Sequence, residues 1–320
     1  MVVKLQQPDD VVVNAQKFYP KEFHKVAESS YMDDMYIKSA LMSGVRGYVK
    51  ASKDVVNIAD IAGGSGRQGR IIKKLVGEDS EKVAVHEIDI SRAELGKGKG
   101  DDKIIGDAKH LPLSDNSMDF VFMNNVPLPL LQVRNYVISM KEDIGKKKVA
   151  LKLLEKAIDA QYSLFLLEGV RVLKENGVMM LGAKQVGQSS EGLQKSVGDL
   201  PLKIEKFEVV ELEKGVVPLW KKYGVDIEEP RFGIAYLRKK GGDIKEATDL
   251  YEKRFKASLK KVMGIPGSEE GKSMIEEVFE KMKRAQKMKP GKSFKIQPGD
   301  VNSFDVGGHE PDTDWVPFLG

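Results

Sequence analysis

Residues 55–69, Val-Val-Asn-Ile-Ala-Asp-Ile-Ala-Gly-Gly-Ser-Gly-Arg-Gln-Gly, constrain the fold more than any other stretch of the chain. An apolar run leads into Gly63, Gly64, Gly66 and Gly69, and a helical pattern follows near Gln68 to Leu75. Glycines let a backbone turn tightly and let a ligand lie against bare main chain at the start of a helix. The segment therefore reads as strand, ligand-facing turn and helix. Structural turns also use glycines, so the pattern needs support from its surroundings.

The rest of the chain alternates in the same way. Strands are expected at Val55–Ile61, Lys82–Ile90, Lys103–Ile105, Met118–Met123, Val178–Ala183, Lys203–Leu212 and Arg231–Arg238. Residues 20–50 read as helical, with Phe23, Val26, Met35, Ile37, Leu41 and Val45 among the apolar positions. Residues 150–174 read as a long helix stopped near Glu175-Asn176-Gly177. Strands separated by helices favour an α/β fold with a mostly parallel sheet covered on both faces. Gly241-Gly242 is a natural joint near the end of this core. Asp243 with Glu246 then resembles a capping box. Ile244, Ala247, Tyr251, Phe255, Leu259 and Val262 recur at helical spacing, and a second amphipathic helix carries Ile275, Val278, Phe279 and Met282. The tail from Pro290 reads as loop. The expected organisation is a helical cap over 1–50, a ligand-binding core over 51–240, and a helical extension with an acidic tail over 241–320.

Composition narrows the chemistry. The chain has no cysteine, which excludes disulfides, thiolate nucleophiles and Cys-ligated zinc. His24, His86, His110 and His309 show no metal-ligand spacing, so no metal is expected. Hydrophobic residues make up 41% and charged residues 31%, as in a globular protein, and no apolar run has the length of a membrane span. The first ten residues hold no apolar signal core, and the expected location is cytoplasmic. The net charge of +4 does not by itself point to nucleic acid. Its distribution is uneven: Lys281–Lys295 holds seven basic residues and no acid, and residues 297–320 hold five acids and no Lys or Arg.

Gly64-Ser65-Gly66-Arg67-Gln68-Gly69 fits G-x-G-x-x-G, and Asp89 follows Gly69 by 20 residues, where a ribose-binding acid belongs in a dinucleotide site. An NAD-dependent oxidoreductase is therefore one alternative. Asp60 argues against it, because a pyrophosphate at this turn would meet a like charge. A cationic ligand suits an acid there. Asp60-Ile61-Ala62-Gly63-Gly64-Ser65-Gly66 resembles motif I of class I S-adenosylmethionine (SAM)-dependent methyltransferases, with Ala62 in place of the first glycine. Ile88-Asp89-Ile90-Ser91 is similar to the family's acid at the end of the second strand. Glu87 is a rival on the same strand face. Ile105-Gly106-Asp107-Ala108-Lys109-His110-Leu111-Pro112-Leu113 resembles the Gly-Asp-Ala-x-x-Leu-Pro segment of the type-11-like branch. Ser114–Val121 continues that branch's pattern, and Glu168-Gly169-Val170-Arg171-Val172-Leu173-Lys174-Glu175-Asn176-Gly177 is similar to its Glu-x-x-Arg-Val-Leu-Lys stretch. The resemblance covers about residues 50–240.

The resemblance implies a Rossmann-like sheet of seven strands and SAM as cofactor, released as S-adenosylhomocysteine. By it, Asp60, Ala62, Gly63, Gly64 and Gly66 would line the methionine end. Asp89 and Ile90 would sit at the ribose, Asp107 and Ala108 at the adenine. Asn124 and Asn125, after the fourth strand, would lie near the transferred methyl, although a plain loop role suits asparagine as well. His24, Tyr31 or Tyr36 could close over the site, but no catalytic residue is assigned. Val126-Pro127-Leu128-Pro129 departs from the Asn-Pro-Pro-aromatic loop of many adenine and glutamine N-methyltransferases. The expected acceptor is a small-molecule metabolite. An RNA or protein methyltransferase docking through Lys281–Lys295 and a non-catalytic SAM-binding interaction protein stand as alternatives. Residues 134–158 and the C-terminal helices are the expected substrate-determining additions, and the latter could also join two copies of the chain.

Overall fold

The computed structural model of the chain describes residues 33–89, 95, 102–124, 144–183, 193, 197, 200–211, 225–226, 231–263 and 318–319. Seven strands form the main sheet: β1 (Val56–Ile61), β2 (Val83–Asp89), β3 (Asp102–Ile105), β4 (Met118–Asn124), β5 (Leu173–Ala183), β6 (Leu202–Glu211) and β7 (Arg231–Lys239). Their order is β3-β2-β1-β4-β5-β7-β6. The β3-β2-β1-β4-β5 part is parallel, and β7 runs antiparallel between β5 and β6. This is a doubly wound, Rossmann-like sheet with one reversed strand, as expected. A two-residue parallel pairing of Val225–Asp226 with Phe318–Leu319 forms a separate ribbon, and its second strand falls in the tail expected to be loop.

Alternation along the central strands feeds two apolar layers, because successive side chains point to opposite faces. Val56 and Ile58 of β1, Val83 and Val85 of β2, and Phe120 and Phe122 of β4 pack with α1 (Asp33–Ser43), α2 (Val45–Ala51) and α3 (Arg67–Val76). Ala59, Ile61, Ile88, Val121 and Met123 face the opposite layer, built with α4 (Ile144–Val172) and α5 (Ile244–Met263). Each fully buried Phe or Ile there contributes roughly 1.5–3 kcal/mol relative to exposure. Continuing the alternation, Asp60, Glu87, Asp89 and Asn124 fall on the α1–α3 side, at the carboxyl ends of their strands.

The helices depart from the sequence expectation in three places. The stretch expected to be helical is two helices within the described residues, broken at Gly44 with φ 71°. Its inward face is Met35, Tyr36, Ser39, Ala40 and Ser43, whereas Ile37 and Leu41 are 40% and 56% exposed. The two serines on that face are hydrogen-bonded, Ser39 Oγ accepting from Asn124 Nδ2 and Ser43 Oγ donating to Ala40 O, so hydrophobicity alone does not select it. Second, α4 begins at Ile144 and runs 29 residues, absorbing much of the segment expected to be an addition. It stops at Val172, earlier than the Glu-Asn-Gly signal. Lys174–Gly177 instead bulge out of β5: Met118 pairs with Leu173 and Phe120 with Val178, and Asn176 takes φ 64°.

Asp243 caps α5, its Oδ1 accepting the Glu246 N–H at 2.9 Å, which is one of the two bonds of the expected capping box. Tyr251 and Phe255 are buried in the layer formed with α4. The second C-terminal helix, the basic run, residues 1–32 with His24 and Tyr31, and His309 lie outside the described residues. Among the described residues no helix is long and apolar enough to cross a membrane.

Candidate active site

The sheet order reverses between β1 and β4, and the carboxyl ends of β1 to β4 share one edge. In open α/β sheets ligands bind at such a switch point. The glycine turn lies here. Ala62, Gly64 and Gly66 all hold left-handed backbone, at φ 58°, 53° and 75°. The Gly63 N–H donates to Ile88 O at 3.2 Å, and the Gly66 N–H closes the turn on Gly63 O at 2.8 Å. A Cβ on Gly63 would lie 2.8 Å from Asp60 Oδ2, and one on Gly66 would lie 1.7 Å from Glu87 Oε1. The missing side chains thus let the turn rest directly on two carboxylates. Gly69 serves packing instead, since its Cβ would come within 2.8 Å of Val85 Cγ1, where α3 presses on β2.

Those carboxylates are neighbours in the sheet. Asp60 and Glu87 are register partners across β1 and β2, and are 3% and 0% exposed. Asp60 accepts a hydrogen bond from the Gly69 N–H, whereas its Oδ2 is buried with no hydrogen-bond donor. Burial pushes the Asp60 carboxyl well above its ordinary range, and the charges of Glu87 and Asp89 push it further. Arg70 and the Gly69 N–H act the other way. Asp89 is drawn in to the turn as well, its Oδ2 accepting the Gly64 N–H at 3.0 Å. Three acids therefore converge beneath and beside one turn. A second negative charge about 4 Å away would cost roughly 4 kcal/mol at an effective dielectric near 20. A pyrophosphate is ill placed here, and a sulfonium or ammonium is well placed.

The remaining expected residues sit around this centre. Asp107 follows β3, and its carboxylate is engaged in its own turn: Oδ1 accepts the Lys109 N–H at 2.9 Å, and Lys109 Nζ lies 3.1 Å from Oδ2. A carboxylate offers about four lone-pair sites, so acceptor capacity remains beyond these two contacts. Ala108 is partly buried against the core. Asn124, at the end of β4, is a buried tie between elements. Its Nδ2 donates to Gln68 Oε1 at 2.7 Å and to Ser39 Oγ at 3.3 Å, and its Oδ1 has no partner. Gly182 makes room for it on β5, since a Cβ there would fall 2.3 Å from Asn124 Oδ1. Tyr36 is buried in the α1–α3 layer, and its carbonyl accepts from Gln68 Nε2 at 3.2 Å. Ile90 and Asn125 lie outside the described residues.

Sequence reasoning ranked Glu87 behind Asp89, yet Glu87 lies under Gly66 at the heart of the acid group. The period of two along β2 was the available signal. Gln68 and Ser39 carried none, because a polar residue on a helix reads as solvent-facing until tertiary packing buries it. Among the described residues no group of three or more His, Cys, Asp and Glu side chains is arranged to hold a metal.

Residues 59–135 match the family described as "Methyltransferase domain". The match runs from Ala59, within β1, through the glycine turn, Asp89 and Asp107 to beyond β4. Over those residues the chain thus resembles a methyltransferase domain. Among solved structures it is similar to a loganic acid methyltransferase with S-adenosylhomocysteine, at 11% identity and TM-score 0.44, covering 67% of this chain and 98% of that one. It is also similar to the 1,6-didemethyltoxoflavin-N1-methyltransferase of Burkholderia thailandensis, at 9% identity and TM-score 0.43, covering 75% and 94%. A third similar structure is a SAM-dependent methyltransferase of Aquifex aeolicus, at 17% identity and TM-score 0.38, covering 68% and 98%. A comparison with curated proteins finds no match.

Proposed function

We propose that the chain transfers the methyl group of SAM to a small-molecule acceptor at the carboxyl edge of β1 and β4. The observation that carries this reading is the convergence of Asp60, Glu87 and Asp89 on the glycine turn, with the buried Asp60 Oδ2 lacking a donor. That set of carboxylate acceptors fits a cationic amino-acid end. Asp60, Ala62, Gly63, Gly64 and Gly66 would hold the methionine moiety, Asp89 and Ile90 the ribose, Asp107 and Ala108 the adenine. Asn124 would stand beneath the methyl-transfer position. When bound, SAM supplies a methyl group already activated on a sulfonium, so the protein contributes alignment and exclusion of water. Within this reading residues 51–240 form the SAM-binding domain. Residues 1–50 and 241–320 shape the acceptor side and the periphery.

Two sequence features favour a small acceptor. Lys281–Lys295 carries the single aromatic Phe294, whereas single-strand recognition usually combines charge with several stacking rings. Val126-Pro127-Leu128-Pro129 lacks the aromatic of the nucleobase-type loop. Incubating the full chain with labelled SAM and a cell extract, then separating small molecules, RNA and protein, tests the proposal. Label in the small-molecule fraction is expected. Label confined to RNA or protein would overturn the acceptor class.

A further inference from the structure

The loop between β3 and β4, residues 106–117, carries Asp107 yet is neither helix nor strand. Its central peptide groups are instead held by two side chains of α4. The buried Leu111 N–H donates to Glu168 Oε2 at 2.8 Å, and the Leu111 carbonyl accepts from Arg171 Nη2 at 2.9 Å. Arg171 Nη1 donates to Leu113 O at 2.9 Å and also meets the Asp115 carboxylate. The pair is locked internally, with Arg171 Nε on Glu168 Oε1 at 2.9 Å and Nη2 on Oε2 at 2.8 Å. A planar guanidinium fork suits this task, because it can address a carboxylate and several carbonyls from one fixed orientation.

The clamp is rigid at both ends. Glu168 sits in a turn of α4 packed by Leu164, Leu167 and Val170, which are at most 5% exposed. On the loop side Leu111 is 1% exposed, and a Cβ on Gly106 would come within 2.9 Å of Pro112 Cδ, so the loop folds back on its own start. Gly106 is in turn anchored to the acid-bearing strand, its N–H donating to Asp89 O at 3.0 Å. Asp107 is thereby suspended between the end of β2 and the α4 clamp.

We propose that Glu168 and Arg171 are positioning residues that set the Asp107 loop at the adenine end of the cofactor site, and so set the selectivity for an amino-bearing base. This inference rests on the SAM-binding reading above. The test compares S-adenosylhomocysteine with its inosyl counterpart, in which an oxo group replaces the adenine amino group. Calorimetry on the full chain gives the ratio of the two affinities for the native protein, Asp107→Asn, Arg171→Lys and the gentler Glu168→Gln, with thermal melting of each alongside.

Native protein that prefers the adenosyl ligand, with the preference reduced about tenfold in Arg171→Lys and less in Glu168→Gln, supports the proposal. Arg171→Lys should add little to Asp107→Asn in the double variant, because both act on the same contact. Lower melting temperatures with an unchanged affinity ratio would show the clamp to be structural and overturn the inference, leaving the cofactor reading intact. Native protein that binds neither ligand would overturn both.

Discussion

Ala62 holds φ 58° with a side chain, a conformation that costs a residue other than glycine roughly 1–2 kcal/mol. Ala62→Gly removes that strain while loosening the unfolded chain, so a net stabilisation of up to about 1 kcal/mol is expected from denaturant midpoints. A loss of stability of that size would mean the residue does not hold this backbone. Asp60 gives a prediction in pH. Its folded carboxyl is raised above the ordinary range. The folded state therefore binds its proton more tightly, and stability is highest below the unfolded value and declines as pH rises through the folded one. Asp60→Asn removes this penalty. Its melting temperature should exceed that of the native protein by a margin that widens from acid towards neutral pH. A constant margin would show that Asp60 does not titrate in that window. The price of the extra stability is a weakened site for a cation, so stability and ligand affinity should move in opposite directions.

At the scale of elements, the two ends of the strands have different tasks. At the amino ends of β1 and β4, Asp119 Oδ1 accepts from Tyr48 Oη at 2.9 Å, Oδ2 accepts the Asn57 N–H at 2.9 Å, and Lys174 Nζ lies 2.8 Å from both oxygens. Asp119→Ala should cost about 2–4 kcal/mol in a denaturant titration, through the unpaired groups it leaves. SAM affinity should stay unchanged in the folded variant, because this cluster sits at the opposite end of the strands from the glycine turn. A large loss of affinity would contradict that separation of roles. The strands, the glycine turn and the acids at the carboxyl ends of β1 and β2 and after β3 were legible because short apolar runs and turn chemistry are local properties. The inward face of α1 was not, since it buries the hydrogen-bonded Ser39 and Ser43 and leaves Ile37 and Leu41 outside. The bulge at Lys174–Gly177 was hidden for a similar reason: a helix-stop signal and a strand bulge both use Asn-Gly with positive φ. The Asn124–Gln68–Ser39 tie joins residues 56 and 85 positions apart, which no local pattern encodes.

At the scale of the molecule, α5 completes the apolar layer on the α4 side of the sheet, burying Tyr251 and Phe255. Removing everything after Lys240 would expose that layer, and large exposed apolar patches promote association. The truncated chain should melt lower or aggregate in light scattering. A soluble truncated protein with the native melting temperature would show α5 to be dispensable. The central claim is that SAM binds at the glycine turn over Asp60, and calorimetric titration of SAM into the native chain and into Asp60→Asn at neutral pH tests it most directly. The native chain should bind SAM and not NAD. Asp60→Asn should bind SAM about tenfold more weakly or worse while remaining folded, since a charge-assisted contact contributes about 1.5–3 kcal/mol. Binding of NAD in place of SAM, or equal SAM affinity in the two proteins, would contradict the account.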